Sequence, residues 1–174
     1  MTPPPAEALS AVLSAASGLA ELFAEAGHRL YLVGGAVREA VAGRFLSGAD
    51  LDCTTDARPA RVRRIVGGVA TSLWTQGERF GTIGCVVDGQ AYEITTHRAE
   101  RYDMHSRKPV VTFGDDVTED LARRDFTVNA MAVDTADGSL LAGERVFSSE
   151  LFVRRLVGDE VFAELVDLPV PEPG

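Results

Sequence analysis

Apolar residues at Leu9, Val12, Leu13, Ala16, Leu19, Phe23 and Ala26 recur at three- and four-residue intervals. That period predicts an amphipathic helix over residues 6–26, with Gly27 placed to stop it. The pattern then changes. Leu30-Tyr31-Leu32-Val33 is a short continuous apolar run and reads as a strand, and Gly34-Gly35 turns it into a helix reaching about Val41, ended by Gly43. Leu51 to Thr54 predicts a second strand. Asp56 is placed to cap a helix from Arg58 to Val66 with Pro59 in its first turn. A strand follows around Leu73-Trp74. Thr82–Val87 and Ala91–Thr96 flank Asp88-Gly89-Gln90, a hairpin signal because Asp-Gly accepts the positive φ that tight turns demand.

Beyond the hairpin the pattern loosens. Residues 97–113 are polar, charged and proline-containing, and read as a long mobile loop. Thr118–Arg124 and Phe126–Met131 predict two short helices, and Ala132–Asp134 and Ser139–Leu141 flank a turn at Asp137-Gly138. Past residue 145 periodicity fades, and Pro169, Pro171 and Pro173 predict a frayed end. The simplest assembly is one α+β domain over residues 1–145, a mixed sheet with a helix between its early strands, followed by a degenerate extension over 146–174.

Composition narrows the classes. With 174 residues, 45% hydrophobic and 25% charged, the chain can bury a core. No uninterrupted run of 18 apolar residues occurs, and Met1-Thr2-Pro3-Pro4-Pro5 lacks the pattern of a signal peptide, so a cytoplasmic protein without a membrane span is expected. Cys53 and Cys85 form no CxxC pair and read as two reduced thiols. The 17 basic and 26 acidic residues give a net charge of −9, which argues against tight binding of a long polyanion by this chain alone. Lys108 is the sole lysine; the remaining cations are arginines, suited to bidentate phosphate contacts but equally a product of coding bias.

Three clusters carry candidate chemistry. Gly34-Gly35 with Arg38 four residues on is either a plain strand-to-helix turn or a phosphate cradle. In the second case the free amides of the helix start face an anion and Arg38 adds a guanidinium. Asp50 and Asp52 alternate on an extended segment, so both carboxylates share a face. They are either exposed charges or ligands for divalent metal, and the glycine turn upstream favours metal. Two Mg²⁺ roughly 3.5–4 Å apart would bridge an attacking oxygen and an α-phosphate. Glu93, after the hairpin, is a third carboxylate or an exposed cross-strand charge. Finally, Arg123-Arg124-Asp125-Phe126-Thr127-Val128-Asn129 packs guanidiniums, a carboxylate and an amide into seven residues, a set able to meet phosphate and ribose hydroxyls.

Taken together, Leu32–Arg38, Asp50-Leu51-Asp52 with Thr55-Asp56-Ala57, Phe80–Ile83, Glu93–Arg98 and Arg123–Met131 resemble, in order and spacing, the catalytic head of class II tRNA nucleotidyltransferases. That family holds the CCA-adding enzymes and bacterial poly(A) polymerases. The resemblance spans residues 28–135. It implies a polymerase-β-like fold, a mixed and mostly antiparallel sheet with helices on one side. It implies Mg²⁺ on Asp50 and Asp52, triphosphate on Gly34, Gly35 and Arg38, and ribose recognition by Arg123, Arg124, Asp125 and Asn129. It also implies NTP (ATP, CTP) as substrate and a tRNA or other RNA 3′ end as acceptor. Departures accompany it. Glu39 stands where the family has Asp, and Leu140–Glu144 replaces an Asp-Pro-x-Gly-Gly segment. Glu164-Leu165-Val166-Asp167 stands where a base-selecting Glu-Asp-x-x-Arg helix is expected. RNA binding by this chain alone is therefore expected to be weak, with room for a partner chain carrying the RNA-binding body. The alternatives are a nucleotide-binding or interaction module, or a nucleotidyltransferase with a non-tRNA acceptor.

Overall fold

A computed structural model describes residues 5–99, 112–124 and 130–142. Helix α1 (Pro5–Glu25) leads through Gly27, at φ +77°, into strand β1 (Leu30–Val33) and helix α2 (Gly34–Val41). Then come β2 (Leu51–Thr55), α3 (Pro59–Gly67), β3 (Ser72–Trp74), β4 (Thr82–Val87) and β5 (Gln90–Thr96). The short β6 (Arg98–Ala99) and β7 (Thr112–Phe113) pair with each other; α4 (Val117–Ala122), β8 (Met131–Asp134) and β9 (Leu140–Ala142) complete the chain.

Seven strands form one sheet in the order β3-β4-β5-β2-β1-β8-β9. Only β2–β5 is parallel; the other pairs are antiparallel, as the family resemblance implies. Strand alternation divides the sheet into two faces. One is dry. Leu32, Leu51, Cys53, Ile83, Cys85 and Ile94 point into a core closed by Val12, Leu19 and Phe23 of α1, Val37 and Val41 of α2, and Val62 and Val66 of α3. Tyr92 pins α1 across the sheet by donating to the Ala15 carbonyl at 2.9 Å. By length and composition α1 is apolar enough to cross a membrane, but its apolar stripe faces this core. Both cysteines are free and buried, and burial pushes the Cys85 thiol up to about 11.

The opposite face is polar toward β3–β5 and β2, and apolar toward β1 and β8. There Val117 and Leu121 of α4 cover Tyr31, Val33 and Ala132. So three helices sit on one face and the short α4 lies across the other. Several local expectations change. Asp56 does not cap α3: Arg58 is the N-cap residue, and the Asp56 carboxylate instead accepts from the Arg29 amide at 3.0 Å and faces His28 Nδ1 at 3.2 Å. The cap motif occurs at α4, where Asp116 accepts from the Thr118 amide. Met131 belongs to β8, not to a helix, because its side chain fills the core. The polar segment after residue 97 is tied at both ends by the β6–β7 ladder, and His97 is buried. Most of the expected Phe126–Met131 helix, the middle of the loop and the extension past residue 142 lie outside the described residues.

Candidate active site

The register of the sheet builds the site. Asp52 on β2 is the ladder partner of Glu93 on β5, so the two carboxylates stand side by side on the polar face. The row continues to Gly84 and Trp74 on one flank and to Val33 and Ala132 on the other. Neither Asp52 nor Glu93 has an ion-pair or hydrogen-bond partner among the described residues. Loss of hydration pushes the Asp52 carboxyl above its ordinary range; Glu93 and Asp50 push the same way, while Arg124 opposes them. Asp50 sits one residue before β2, exposed, rather than on the strand itself. The shared strand face expected from the spacing is therefore not formed by β2 itself, although the Asp50 charge still acts on Asp52.

The glycine turn closes on this pair. Gly34 has φ +74°, and a Cβ there would lie 3.0 Å from Asp52 Oδ2. Only glycine gives both the left-handed backbone and the close approach. The first amides of α2 thus open beside Asp52, with no side-chain cap to satisfy them. Arg38 folds back toward Gly35, its Nη2 3.7 Å from where a Cβ of Gly35 would stand. It is steadied by Glu39 at 3.0 Å, which also holds Arg44 at 2.9 Å, and these contacts draw the Glu39 carboxyl below its usual range. Gly34, Gly35, Arg38, Asp52 and Glu93 therefore converge, with Asp50 beside them.

Arg123 and Arg124 end α4 and form a second group with Arg98 of β6. Burial, then the charges of Arg123 and Arg124, lower the Arg98 pKa, although Asp120 opposes them. The Nε of each of these three arginines is buried with no acceptor among the described residues. Crowded guanidiniums with unused donors are suited to an anion. Asp125 and Asn129 lie outside the described residues.

The sequence reading missed what holds this cluster. Thr54 lies two residues along β2 from Asp52 and donates to Asp120 Oδ2 at 3.3 Å; its oxygen is 2.8 Å from His97 Nδ1. With the hydroxyl proton given to Asp120, Nδ1–H of His97 donates to Thr54. Asp120 also accepts from the Arg98 amide at 2.9 Å and from Arg124 Nη2 at 3.1 Å. Thr54, His97 and Asp120 are almost fully buried. Thr54 and His97 look ordinary in sequence; the available signal was an Asp four residues before an Arg on a predicted helix.

Hard carboxylate oxygens that repel one another and carry no partner fit a divalent cation. No three His, Cys, Asp or Glu side chains close into a metal cage among the described residues. Mg²⁺ does not require one, because it is commonly held by one or two carboxylates completed by substrate phosphates and water.

Comparison with known proteins places the chain in a family. The family model described as the poly(A) polymerase head domain matches residues 30–143. A CCA-adding enzyme of Staphylococcus aureus is 45% identical over 111 residues, covering 63% of this chain and 26% of that protein. The structure of the Bacillus stearothermophilus CCA-adding enzyme in complex with CTP superposes with a TM-score of 0.59 at 31% identity, covering 94% of this chain and 38% of the other. A tRNA nucleotidyltransferase complexed with a primer tRNA and an incoming ATP analog gives a TM-score of 0.52 at 28% identity, covering 75% and 36%. The chain thus spans about a quarter of the length of the curated relatives it matches. With the match covering most of the chain, and the glycine turn and acidic pair inside it, this protein belongs to the poly(A) polymerase head-domain family.

Proposed function

We propose that this chain is the catalytic head of a divalent-metal-dependent nucleotidyltransferase that adds nucleotides from NTP to an RNA 3′ end, with tRNA as the acceptor. The observation that carries the reading is Gly34 close against Asp52, which brings a glycine turn at a helix start together with an acidic pair that has no partner among the described residues. In this reading Asp50 and Asp52 hold Mg²⁺, with Glu93 beside them. The metal, when bound, neutralises the triphosphate and polarises the α-phosphate. The amides at Gly34 and Gly35 and the Arg38 guanidinium bind the β- and γ-phosphates. Arg123 and Arg124, with Asp125 and Asn129, take the ribose and the remaining phosphate charge. Glu93 receives the proton of the RNA 3′-hydroxyl as its oxygen bonds to the α-phosphorus; the α–β bridging bond breaks and pyrophosphate leaves.

The residues that do this fall within 1–145, and 146–174 is read as an extension. The relatives named above are CCA-adding enzymes and a tRNA nucleotidyltransferase, one described with a primer tRNA; we carry NTP and tRNA across on that support. Incubation with labelled CTP or ATP, Mg²⁺ and total tRNA tests the proposal. Label on tRNA, lost in Asp52→Ala, is the expected result. Label on protein would indicate another acceptor. Nucleotide binding with no transfer to any acceptor would indicate a binding module.

A further inference from the structure

The carboxylate pair has two flanks, and they differ. On the β1 side Gly34 crowds Asp52 Oδ2, and the Arg124 charge reaches the same carboxylate. That flank is taken by the groups assigned to the incoming nucleotide. On the β4 side the row continues from Glu93 to Gly84 and then to Trp74 on the edge strand β3. Gly84 is buried although it has no side chain, because the Trp74 indole covers it: a Cβ at Gly84 would overlap Cε2, Nε1 and Cζ2 of the ring. Missing bulk on β4 thus seats an aromatic plate on the polar face. Trp74 itself is only half-buried. With strands about 4.8 Å apart, the plate stands about one strand from Glu93 and about two from Asp52.

We propose that the exposed face of Trp74 stacks the 3′-terminal nucleoside of the RNA acceptor and so aims its hydroxyl at the carboxylate pair, an inference that rests on the function proposed above. An attacking hydroxyl has to approach opposite the leaving pyrophosphate, and among the described residues the β4 flank carries none of the groups assigned to the nucleotide. A single ribonucleoside bridges the distance from indole to Glu93. Stacking on a ring accepts every base. This suits an RNA end whose last base changes with each addition.

Trp74 is the only tryptophan in the chain, so its own fluorescence reports the contact. The wild-type chain is titrated at low salt with an acceptor-stem RNA hairpin carrying an unpaired 3′ overhang, with the same hairpin made blunt, and with CTP plus Mg²⁺. The overhang RNA is expected to quench emission, with the midpoint seen by anisotropy of labelled RNA. The blunt hairpin and CTP should leave emission nearly unchanged. Trp74→Ala is expected to weaken overhang binding roughly tenfold without changing CTP affinity, and Trp74→Phe should restore most of it. Overhang RNA that binds without quenching, or that binds Trp74→Ala as well as wild type, overturns the proposal and leaves the proposed function standing. Quenching by CTP alone assigns the ring to the incoming base and also overturns it. If the wild-type chain neither binds the overhang RNA nor labels any RNA, the functional reading itself fails and this inference with it. Circular dichroism checks each variant; should Trp74→Ala not fold, wild-type emission and the Phe variant decide.

Discussion

Asp52 and Thr54 lie two residues apart on β2, point to the same face, and meet opposite surroundings. Thr54 is buried, and its hydroxyl is bonded on both sides, to His97 and Asp120. Asp52 is exposed and is unpartnered among the described residues, yet loss of hydration, and after it the charges of Glu93 and Asp50, push its carboxyl above the usual range against Arg124. One position has its hydrogen bonds met inside the protein, and the other carries a charge that no described residue neutralises. The difference supports reading Thr54 as scaffold and Asp52 as part of the proposed site: a satisfied buried polar group fixes geometry, while an unsatisfied charge beside a glycine turn is a candidate ligand position.

The sharpest way to break the contrast is to remove each residue's chemistry and compare the losses. Asp52→Asn, and likewise Asp50→Ala, should abolish nucleotidyl transfer in the labelling assay. Stability should stay within about 0.5 kcal/mol of wild type, since the change relieves repulsion at an exposed position. Wild-type transfer by either variant would remove these residues from the metal site. A loss above about 2 kcal/mol in urea denaturation would move Asp52 to the scaffold class.

Asp120 should behave in the opposite way. Asp120→Ala leaves the Thr54 hydroxyl, the Arg98 amide and the Arg124 guanidinium without their acceptor, inside a nearly dry pocket. Breaking a buried charged pair typically costs about 3–5 kcal/mol, and urea denaturation should show a loss of that order. Nucleotide affinity should fall as well, because Arg124 loses the partner that aims it. A cost below about 1 kcal/mol would mean the network is not a scaffold.

The fold was legible because its determinants are local. The period of α1, the Asp88-Gly89 hairpin and the alternation along β4 and β5 each announce themselves within about ten residues, and the structure keeps them. Gly34 and Asp52, read from the sequence as one constellation, do come together in the structure, while Asp50 lies just before the strand. The rest was not local. Thr54, His97 and Asp120 come together across 66 positions of sequence. Nothing about an isolated threonine or histidine foretells that meeting. Asp56 was misread as a cap because any Asp before a helix satisfies that pattern, whereas its carboxylate is claimed by the amide of Arg29. Trp74 gave no signal beyond strand propensity; its role depends on Gly84, found only once the register is known.

A smaller effect tests the scaffold through pH. Burial lowers the His97 pKa against the opposing charges of Asp120, Asp56 and Asp116, with Arg124 lowering it further. The folded state therefore favours the neutral ring. Below the ordinary histidine value of about 6.5 the unfolded chain takes up a proton that the folded chain resists. Stability from this group is complete above that value and is lost as pH falls toward the depressed folded pKa. The slope from one proton is at most about 1.4 kcal/mol per pH unit. Urea denaturation at pH 7.5 and in steps down to pH 5 should show it, and His97→Asn should flatten the curve relative to wild type. An identical acid slope in both proteins would place the titration elsewhere.

The smallest expected effect concerns the base of the incoming nucleotide, and it extends the contrast between satisfied and unsatisfied positions. Every group assigned here to the NTP meets something all four NTPs share. Gly34, Gly35 and Arg38 are assigned to phosphate, Asp50 and Asp52 to metal, and Arg123 and Arg124 to ribose and charge. In the family this chain resembles, an Asp and an Arg on the helix after the head read the base; Glu164-Leu165 stands at that place here. A site rejects a wrong base by several kcal/mol only when its polar partners exist to be left unpaired. This chain by itself should therefore bind ATP, CTP, GTP and UTP with affinities within about tenfold of one another, about 1.4 kcal/mol. Calorimetric titration of the Asp52→Asn protein with each NTP and Mg²⁺ measures this without turnover. One base bound more than tenfold tighter would mean that another segment reads the base edge, and residues 97–113, which run from buried His97 to Phe113 of β7, are the first to substitute.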